Sequence, residues 1–191
     1  MIRIAVVGGI GSGKSYIAKL FGYPVFNADI EVAKLYRKNR KCYKKLKKAL
    51  PKYVRSFPVK KNKLSEAIMD RQSNLKKIIK IIHPQIRRSL NNFVKKNKYK
   101  KFIVLDIPLL IENKINKRND IIVFIDSKKK EINKRLKKKY KGNLKIIKKL
   151  VKVQLPVELK RKKSNFIIKN NFKKNNVKNN VKNVLRYISN A

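Results

Sequence analysis

Acidic side chains are scarce in this sequence: 10 Asp and Glu residues stand against 54 Lys and Arg residues, for a formal net charge of +44 at pH 7. So strong a positive charge raises the hypothesis of nucleic-acid binding, because Lys and Arg release counterions from phosphates. The basic residues are dispersed along the chain, however, and most are lysines rather than the arginines that read bases. We interpret the excess as compositional bias and expect no specific nucleic-acid partner.

The chain also has little cysteine and no long apolar run. Cys42 is the single cysteine, so an internal disulfide is excluded and a reducing, cytoplasmic setting is favoured. No apolar stretch approaches the roughly 20 residues that cross a bilayer. The apolar start at residues 2–7 lacks the cleavage site of a signal peptide. We therefore expect no membrane partner, and we favour a monomer.

The apolar pattern predicts an α/β fold. Short apolar runs predict strands at residues 2–7, 23–27, 102–105, 121–125 and 166–168. Helical periodicity separates these runs, which is typical of a parallel sheet with crossover helices. Between the second and third strands we predict a helix over 29–50, a second over 64–82 and a new helix starting at Pro84. This stretch is longer than one crossover needs and predicts an inserted helical part.

Residues 8–15, GGIGSGKS, match the Walker A pattern in full. A predicted strand leads in and a predicted helix leads out, which is the context that this motif requires. Backbone N–H groups and the helix N-terminus would hold phosphates, Lys14 would reach the β- and γ-phosphates, and the Ser15 hydroxyl would ligate magnesium. The predicted cofactors are ATP and Mg²⁺, and the predicted ATP-binding residues of the loop are Gly11, Ser12, Gly13, Lys14, Ser15 and Tyr16.

Two aspartates follow predicted strands, where ligands of open α/β sheets bind. Asp106 resembles a Walker B carboxylate, which would hold magnesium through water. Asp29 would either accept the proton of an attacking hydroxyl or cap the helix that follows it, and spacing alone does not separate these roles. His83, between apolar residues, is more often structural. Arg135 is part of either a solvated basic face or a lid over ATP.

These motifs together resemble the dephospho-coenzyme A kinase family over residues 2 to about 171. Its pieces are the Walker A motif, N-A-D at 27–29, H-P at 83–84, D-I-P-L-L-I-E at 106–112 and Q-L-P at 154–156. After them, a basic stretch, a short strand and paired asparagines complete the pattern. The resemblance implies transfer of the γ-phosphoryl group of ATP to the ribose 3′-hydroxyl of dephospho-coenzyme A.

The resemblance also implies an organisation and residue roles. It implies a P-loop NTPase-type core at 1–56, 99–127 and 164–191, a helical coenzyme A-binding subdomain at about 57–98 and a lid at about 128–142. By this resemblance, Asp29 and Lys14 would be the catalytic residues. ATP contacts in the lid would come from Arg135 and Lys139. Substrate contacts would come from His83, Pro84, Leu109 and Glu112.

The sequence departs from the family pattern at several positions. Asn27 replaces the usual first Asp of D-A-D, so that position cannot serve as base. Tyr16 stands where Thr is usual, and Lys139 stands where the lid often has Arg. Two other readings remain open: another P-loop kinase acting on a small metabolite or nucleoside monophosphate, and a basic nucleic-acid-binding ATPase.

Overall fold

The computed structural model describes residues 1–139, 151 and 154–190. Its strands are β1 (Ile2–Gly8), β2 (Val25–Asn27), β3 (Phe102–Asp106), β4 (Ile121–Ser127) and β5 (Phe166–Asn170). The helices of this part of the chain are α1 (Lys14–Leu20), α2 (Ala28–Lys38), α3 (Arg40–Ala49), α4 (Lys61–Asp70), α5 (Gln72–Lys96), α6 (Lys129–Lys139), α7 (Val157–Lys162) and α8 (Lys174–Asn190). None of these helices is long and apolar enough to span a bilayer.

The strands form one sheet with the order β2-β3-β1-β4-β5, and each pair of neighbours is parallel. β1 lies at the centre, and Ile4, Ala5 and Val6 are fully buried. Burial on both faces explains why this strand is a continuous apolar run rather than an alternating one. The α/β fold predicted from the apolar pattern is confirmed.

Two helices cover one face of the sheet. From α1, Ile17 and Ala18 pack into the same buried cluster as Ile4 and Val6 of β1. From α8 come four residues at helical spacing, namely Val177, Val181, Val184 and Ile188. Because their spacing of three and four residues puts them on one side of the helix, α8 presents an apolar stripe to the sheet and its lysines and asparagines to solvent.

The parallel strands bring their carboxyl ends to a common edge. Register pairs Asn27 with Asp106 and Ser127 with Asn170, each pair being the last residues of neighbouring strands. Gly8, the last residue of β1, pairs with Ile125 of β4. Several polar side chains therefore surround the start of the glycine-rich loop. In open α/β sheets, this edge is where ligands bind.

By residue contacts the chain divides into two compact units, Met1–Asn27 with Asn97–Ala191, and Ala28–Lys96. The second unit is helical throughout its regular structure, with α5 as its central element. Residues at four-residue spacing along α5 are buried, namely Ile78, Ile82, Ile86 and Leu90. They form one apolar stripe, and α2, α3 and α4 each contact α5. The elements between β2 and β3 are helices, as predicted, whereas the bounds of about 57–98 for a coenzyme A-binding subdomain stay a prediction. The separate lid stays a prediction, and its residues 140–142 lie outside the described residues.

Three predicted helices have wrong boundaries. The helix predicted over 64–82 is broken at Arg71, whose extended backbone separates α4 from α5. Pro84 does not start a helix but lies inside α5. A proline inside a helix removes a backbone hydrogen bond, and here the burial of Ile82 and Ile86 on either side stabilises the helix. The helix predicted over 29–50 is interrupted at Asn39, whose side chain accepts a hydrogen bond from the Cys42 backbone N–H at 2.8 Å. This contact makes Asn39 the N-cap of a new helix.

A buried ion pair ties the start of β1 to the loop before β4. The Arg3 Nε and Nη2 atoms lie 2.9 Å from the two carboxylate oxygens of Asp120, and the side chains are 10% and 2% exposed. The Lys117 backbone N–H also donates to Asp120. Burial raises the pKa of Asp120, and the hydrogen bond from Lys117 and the charge of Arg3 oppose this effect. Each charge therefore depends on its partner to remain in the interior.

We expect Arg3→Met to lower the free energy of unfolding by about 3 kcal/mol, because it leaves the Asp120 carboxylate buried without a cation. The melting temperature should fall by roughly 6–12 °C. The double variant Arg3→Met/Asp120→Asn should recover most of this loss. Lys63→Met is the matched control, since it breaks an ion pair with Glu66 whose side chains are 48% and 50% exposed. A loss from Arg3→Met no larger than that of the control contradicts the prediction.

Candidate active site

The glycine-rich loop forms a compact turn between β1 and α1. Gly13 has a left-handed φ of 90° and is the N-cap of α1. The Ser12 backbone N–H donates to the Gly9 carbonyl at 3.3 Å, and the N–H groups of Tyr16 and Ile17 donate to the Gly13 carbonyl at 3.1 Å. The first N–H groups of a helix have no acceptor within that helix, so this end of α1 attracts anions.

Lys14 lies against the loop that precedes it. Its Nζ atom donates to the carbonyl oxygens of Gly8 at 3.2 Å and Gly9 at 2.8 Å. These contacts hold the ammonium group at the glycine-rich turn rather than in open solvent. Ser15 follows with an exposed side chain. The structure thus assembles the Walker A residues as the motif requires, while their contacts to ATP stay a prediction.

Helix α6 packs directly on this loop. A Cβ atom at Gly11 would lie 3.2 Å from the Leu136 side chain, which is buried. On the same helix, the Arg135 guanidinium lies over the Phe172 ring at 3.9 Å from its centroid. Phe172 in turn approaches Gly13, since its Cε1 atom would be 3.5 Å from a Cβ there. The predicted lid residue Arg135 therefore belongs to the surroundings of the P-loop.

Sequence reasoning missed Phe172. Its signal is weak but present, because it is an aromatic residue directly after the paired asparagines in a stretch dominated by Lys and Asn. Its positive φ of 61° is unusual for a residue with a side chain and indicates a constrained position. Lys139, the second predicted lid residue, is the last residue of α6, and its side chain lies outside the described part of the chain.

Asp106 ends β3 and is 3% exposed. Asn27 is its neighbour in register on β2, and the Asn27 Nδ2 atom donates to the Asp106 Oδ2 atom. With Asp at position 27, two carboxylates would face each other across the strands. The amide instead donates to the carboxylate and adds no repulsion.

The oxygen atoms at this edge suit a hard cation. A serine hydroxyl and a carboxylate are ligands that Mg²⁺ accepts, and Mg²⁺ usually keeps waters and binds substrate phosphates as well. Among the described residues, no group of three or more His, Cys, Asp or Glu side chains could hold a metal ion. A cation bound by Ser15 and Asp106 would therefore need phosphate oxygens and water as its other ligands.

Asp29 is the second residue of α2 and belongs to the helical unit. It lies two residues after the end of β2 and is exposed. Its place inside the first turn means that it is not the N-cap residue, although a carboxylate there still interacts favourably with the helix dipole. The alternative structural role for Asp29 is therefore this dipole interaction rather than the capping hydrogen bond.

Glu112 makes an internal ion pair. Its Oε1 atom lies 2.8 Å from the Lys160 Nζ atom, and the side chains are 12% and 3% exposed. The same oxygen accepts the Leu155 backbone N–H at 3.0 Å. Burial alone would raise the pKa of Glu112, but the hydrogen bonds from Lys160 and from backbone N–H groups outweigh it, so the pKa lies below its usual value. Glu112 thus joins the loop after β3 to the Q-L-P segment.

The other predicted substrate residues lie in two different units. Leu109, in the loop after β3, is half-buried and has a left-handed φ of 57°. Such backbone strain in a non-glycine residue often accompanies function. His83 and the exposed Pro84 are on α5 of the helical unit. Burial lowers the pKa of His83, and the positive charge of Arg87, one turn further along the helix, lowers it further.

Comparisons with known proteins agree with one another. The family model described as dephospho-CoA kinase matches residues 2–176. The chain is 34% identical over 172 residues to a dephospho-CoA kinase of Wolbachia sp. subsp. Brugia malayi and 35% identical over 174 residues to that of Wolbachia pipientis wMel. Each alignment covers 86% of this chain and 87% of the relative.

Solved structures share the fold. The crystal structure of TT1252 from Thermus thermophilus superposes with a TM-score of 0.80 at 26% identity, covering 97% of both chains. A dephospho-CoA kinase from Campylobacter jejuni superposes with a TM-score of 0.65 at 24% identity, covering 99% of this chain and 98% of the other. The second likeness is evidence for the fold alone.

We predict that His83 titrates below 6.5, the usual pKa of histidine. As pH falls below 6.5, His83 takes up a proton in the unfolded chain before it does so in the folded chain. The free energy of unfolding therefore decreases until the pH reaches the pKa of His83 in the folded protein. As the single histidine, it gives one imidazole signal to follow by NMR. His83→Gln should remove this part of the pH dependence of the melting temperature. An imidazole that titrates at 6.5 or above contradicts the prediction.

Proposed function

The chain belongs to the dephospho-CoA kinase family, and from the geometry of its site we propose how it carries out the family's reaction. It is an ATP-dependent kinase. In the proposed step, the ribose 3′-hydroxyl oxygen of dephospho-coenzyme A bonds to the γ-phosphorus of ATP. The bond from this phosphorus to the β–γ bridging oxygen breaks, and the products are coenzyme A and ADP. The comparisons do not favour the two alternative readings.

The observation that carries the proposal is the P-loop with Lys14 in place beside Gly8 and Gly9. Phosphoryl transfer depends mainly on positioning and on charge stabilisation. We propose that the N–H groups at the start of α1 bind the phosphates and that the Lys14 ammonium moves from the loop carbonyls to the β- and γ-phosphates. That exchange places positive charge where the transition state needs it.

We propose that Mg²⁺ binds with ATP, held by the Ser15 hydroxyl and, through water, by Asp106. Magnesium would neutralise charge that develops on the phosphate oxygens. Asn27 contributes by donating to one oxygen of Asp106, which orients the carboxylate. In this chain, magnesium would thus be held by one carboxylate, Asp106 at the end of β3, and that carboxylate would be oriented by one amide, Asn27 at the end of β2.

Asp29 is the proposed base. Its carboxylate would accept the proton of the 3′-hydroxyl, or orient that hydroxyl, as the oxygen attacks. Its exposed position at the start of α2 leaves it accessible to a substrate. Arg135 and Lys139 would add positive charge from the lid over ATP, with Arg135 held by the Phe172 ring until then.

For the acceptor, we propose contacts from His83 and Pro84 in the helical unit and from Leu109 after β3. Glu112 would act through the loop that it holds, since its carboxylate already binds Lys160 and the Leu155 N–H. We also propose that residues 128–142 serve as the lid, that the protein acts in the cytoplasm and that it works as a monomer.

An acceptor assay tests the function most directly. Release of ADP from ATP should be fast with dephospho-coenzyme A and at background level with adenosine monophosphate. A random oligonucleotide should neither stimulate ADP release nor replace the acceptor. Comparable turnover with adenosine monophosphate would support the nucleoside monophosphate kinase reading instead, and stimulation by the oligonucleotide would support the nucleic-acid-dependent ATPase.

We predict that Asp29→Asn lowers kcat by ~10²–10⁴-fold, because the amide cannot accept the proton. ATP affinity and melting temperature should change little, since an exposed side chain in the first turn contributes at most about 1 kcal/mol through the helix dipole. Glu31→Gln is the matched control, as it removes a carboxylate from the same first turn. A kcat for Asp29→Asn within about threefold of the wild type would exclude the catalytic role.

A further inference from the structure

Two side chains from neighbouring strands donate to one carbonyl of the P-loop. The Ser12 carbonyl oxygen accepts the Ser127 hydroxyl at 2.9 Å and the Asn170 Nδ2 atom at 2.8 Å. Ser127 and Asn170 are the last residues of β4 and β5 and are partners in register. The sheet itself therefore fixes the spacing of the two donors. Neither residue was among those predicted to bind ATP.

Asn170 is held in one orientation. Its Oδ1 atom accepts the Phe172 backbone N–H at 2.9 Å, which leaves the Nδ2 atom to face Ser12. The Asn170 side chain is in the interior, with the residue 3% exposed, and Ser12 is 1% exposed. A buried amide with both ends bonded has no low-cost alternative orientation, because any rotation would leave a polar group unsatisfied.

The contact also defines the peptide that follows. In a trans peptide the carbonyl of Ser12 and the N–H of Gly13 point in opposite directions. With the carbonyl held towards the ends of β4 and β5, the Gly13 N–H points away from them, as a phosphate-binding loop requires. A flipped peptide would instead direct the carbonyl oxygen at the phosphates. Glycine adopts the left-handed φ of 90° seen at position 13 without steric cost, so the conformation of Gly13 alone does not exclude a flipped peptide.

The absence of a side chain at Gly13 also leaves room for the Asn170 amide. A Cβ atom at Gly13 would lie 2.5 Å from the Asn170 Nδ2 atom, a distance at which no side chain fits. Glycine at this position therefore serves two purposes, the backbone conformation and the close approach of the amide.

We propose that Asn170, assisted by Ser127, is a positioning residue that holds the Ser12–Gly13 peptide in its phosphate-binding orientation. The inference rests on the proposed function only in that the P-loop binds the phosphates of ATP. It assigns a role to the first of the paired asparagines. The effect should fall on the phosphate chain of a ligand and not on its nucleoside.

The test uses Asn170→Asp in the full chain. This change keeps the shape and the acceptor for Phe172 but replaces the donor with an oxygen that repels the Ser12 carbonyl. Calorimetric binding of tripolyphosphate and of ATP should weaken roughly tenfold. In steady-state kinetics, KM for ATP should rise more than kcat falls. Asn171→Asp is the matched control, because this exposed neighbour gains the same charge and its Oδ1 contact with the Lys173 N–H is retained.

A second pair of variants covers the case in which Asn170→Asp does not fold. Ser127→Ala removes the other donor and should weaken tripolyphosphate binding by about threefold, whereas Ser127→Thr keeps the hydroxyl and should restore it. Melting temperatures show whether each variant is folded. Wild-type affinity for tripolyphosphate in folded Asn170→Asp, or in Ser127→Ala if the former does not fold, would overturn the proposal.

Lys14→Ala separates this proposal from the proposed function. If Lys14→Ala loses tripolyphosphate binding while folded Asn170→Asp and Ser127→Ala retain it, the P-loop assignment stands and the positioning role is wrong. If Lys14→Ala binds tripolyphosphate as the wild type does, the phosphate site itself is wrongly assigned, and the positioning role fails with it. Loss of binding in all three variants supports both.

Discussion

Strand β1 is the constraint on which the site depends. It is hydrogen-bonded to β3 on one side and β4 on the other, and Ile4 to Val6 are fully buried. A strand fixed on both edges and both faces delivers Gly8 to a defined point at the carboxyl edge of the sheet. The glycine-rich loop then has little freedom, because α1 must pack Ile17 and Ala18 into the same core.

The scarcity of acids gives the buried carboxylates a clear pattern. Asp120 is paired with Arg3, Glu112 with Lys160, and Asp106 accepts from Asn27. Because the chain carries a net charge of +44, its surface is solvated by basic side chains and does not require carboxylates for solubility. The acids that remain in the interior are held by a cation or by a donor, as burial of a charge requires.

Local features of the sequence misled where tertiary contacts compensated for them. Pro84 was predicted to start a helix, yet α5 continues through it. The apolar stripe of α5 is buried both before and after Pro84, and this burial stabilises the helix. Glu112 belongs to a motif that indicated substrate binding, which stays a prediction; the motif gave no sign that its Oε1 atom also binds Lys160 and Leu155, which lie more than 40 positions away along the chain. Neither outcome is encoded within a short window of sequence.

The sequence alone determined the strands, the Walker A loop and the family, because apolar runs and an ordered set of motifs are local patterns with a known physical meaning. It also indicated Asp29 and Asp106 through their places after strands. Tertiary structure decided which polar groups meet. The strand predicted at 166–168 extends to Asn170, and only the register of β5 on β4 brings that amide to Ser12, 158 positions away. Hydrogen bonds between distant residues depend on the packing of the whole sheet, which no local pattern contains.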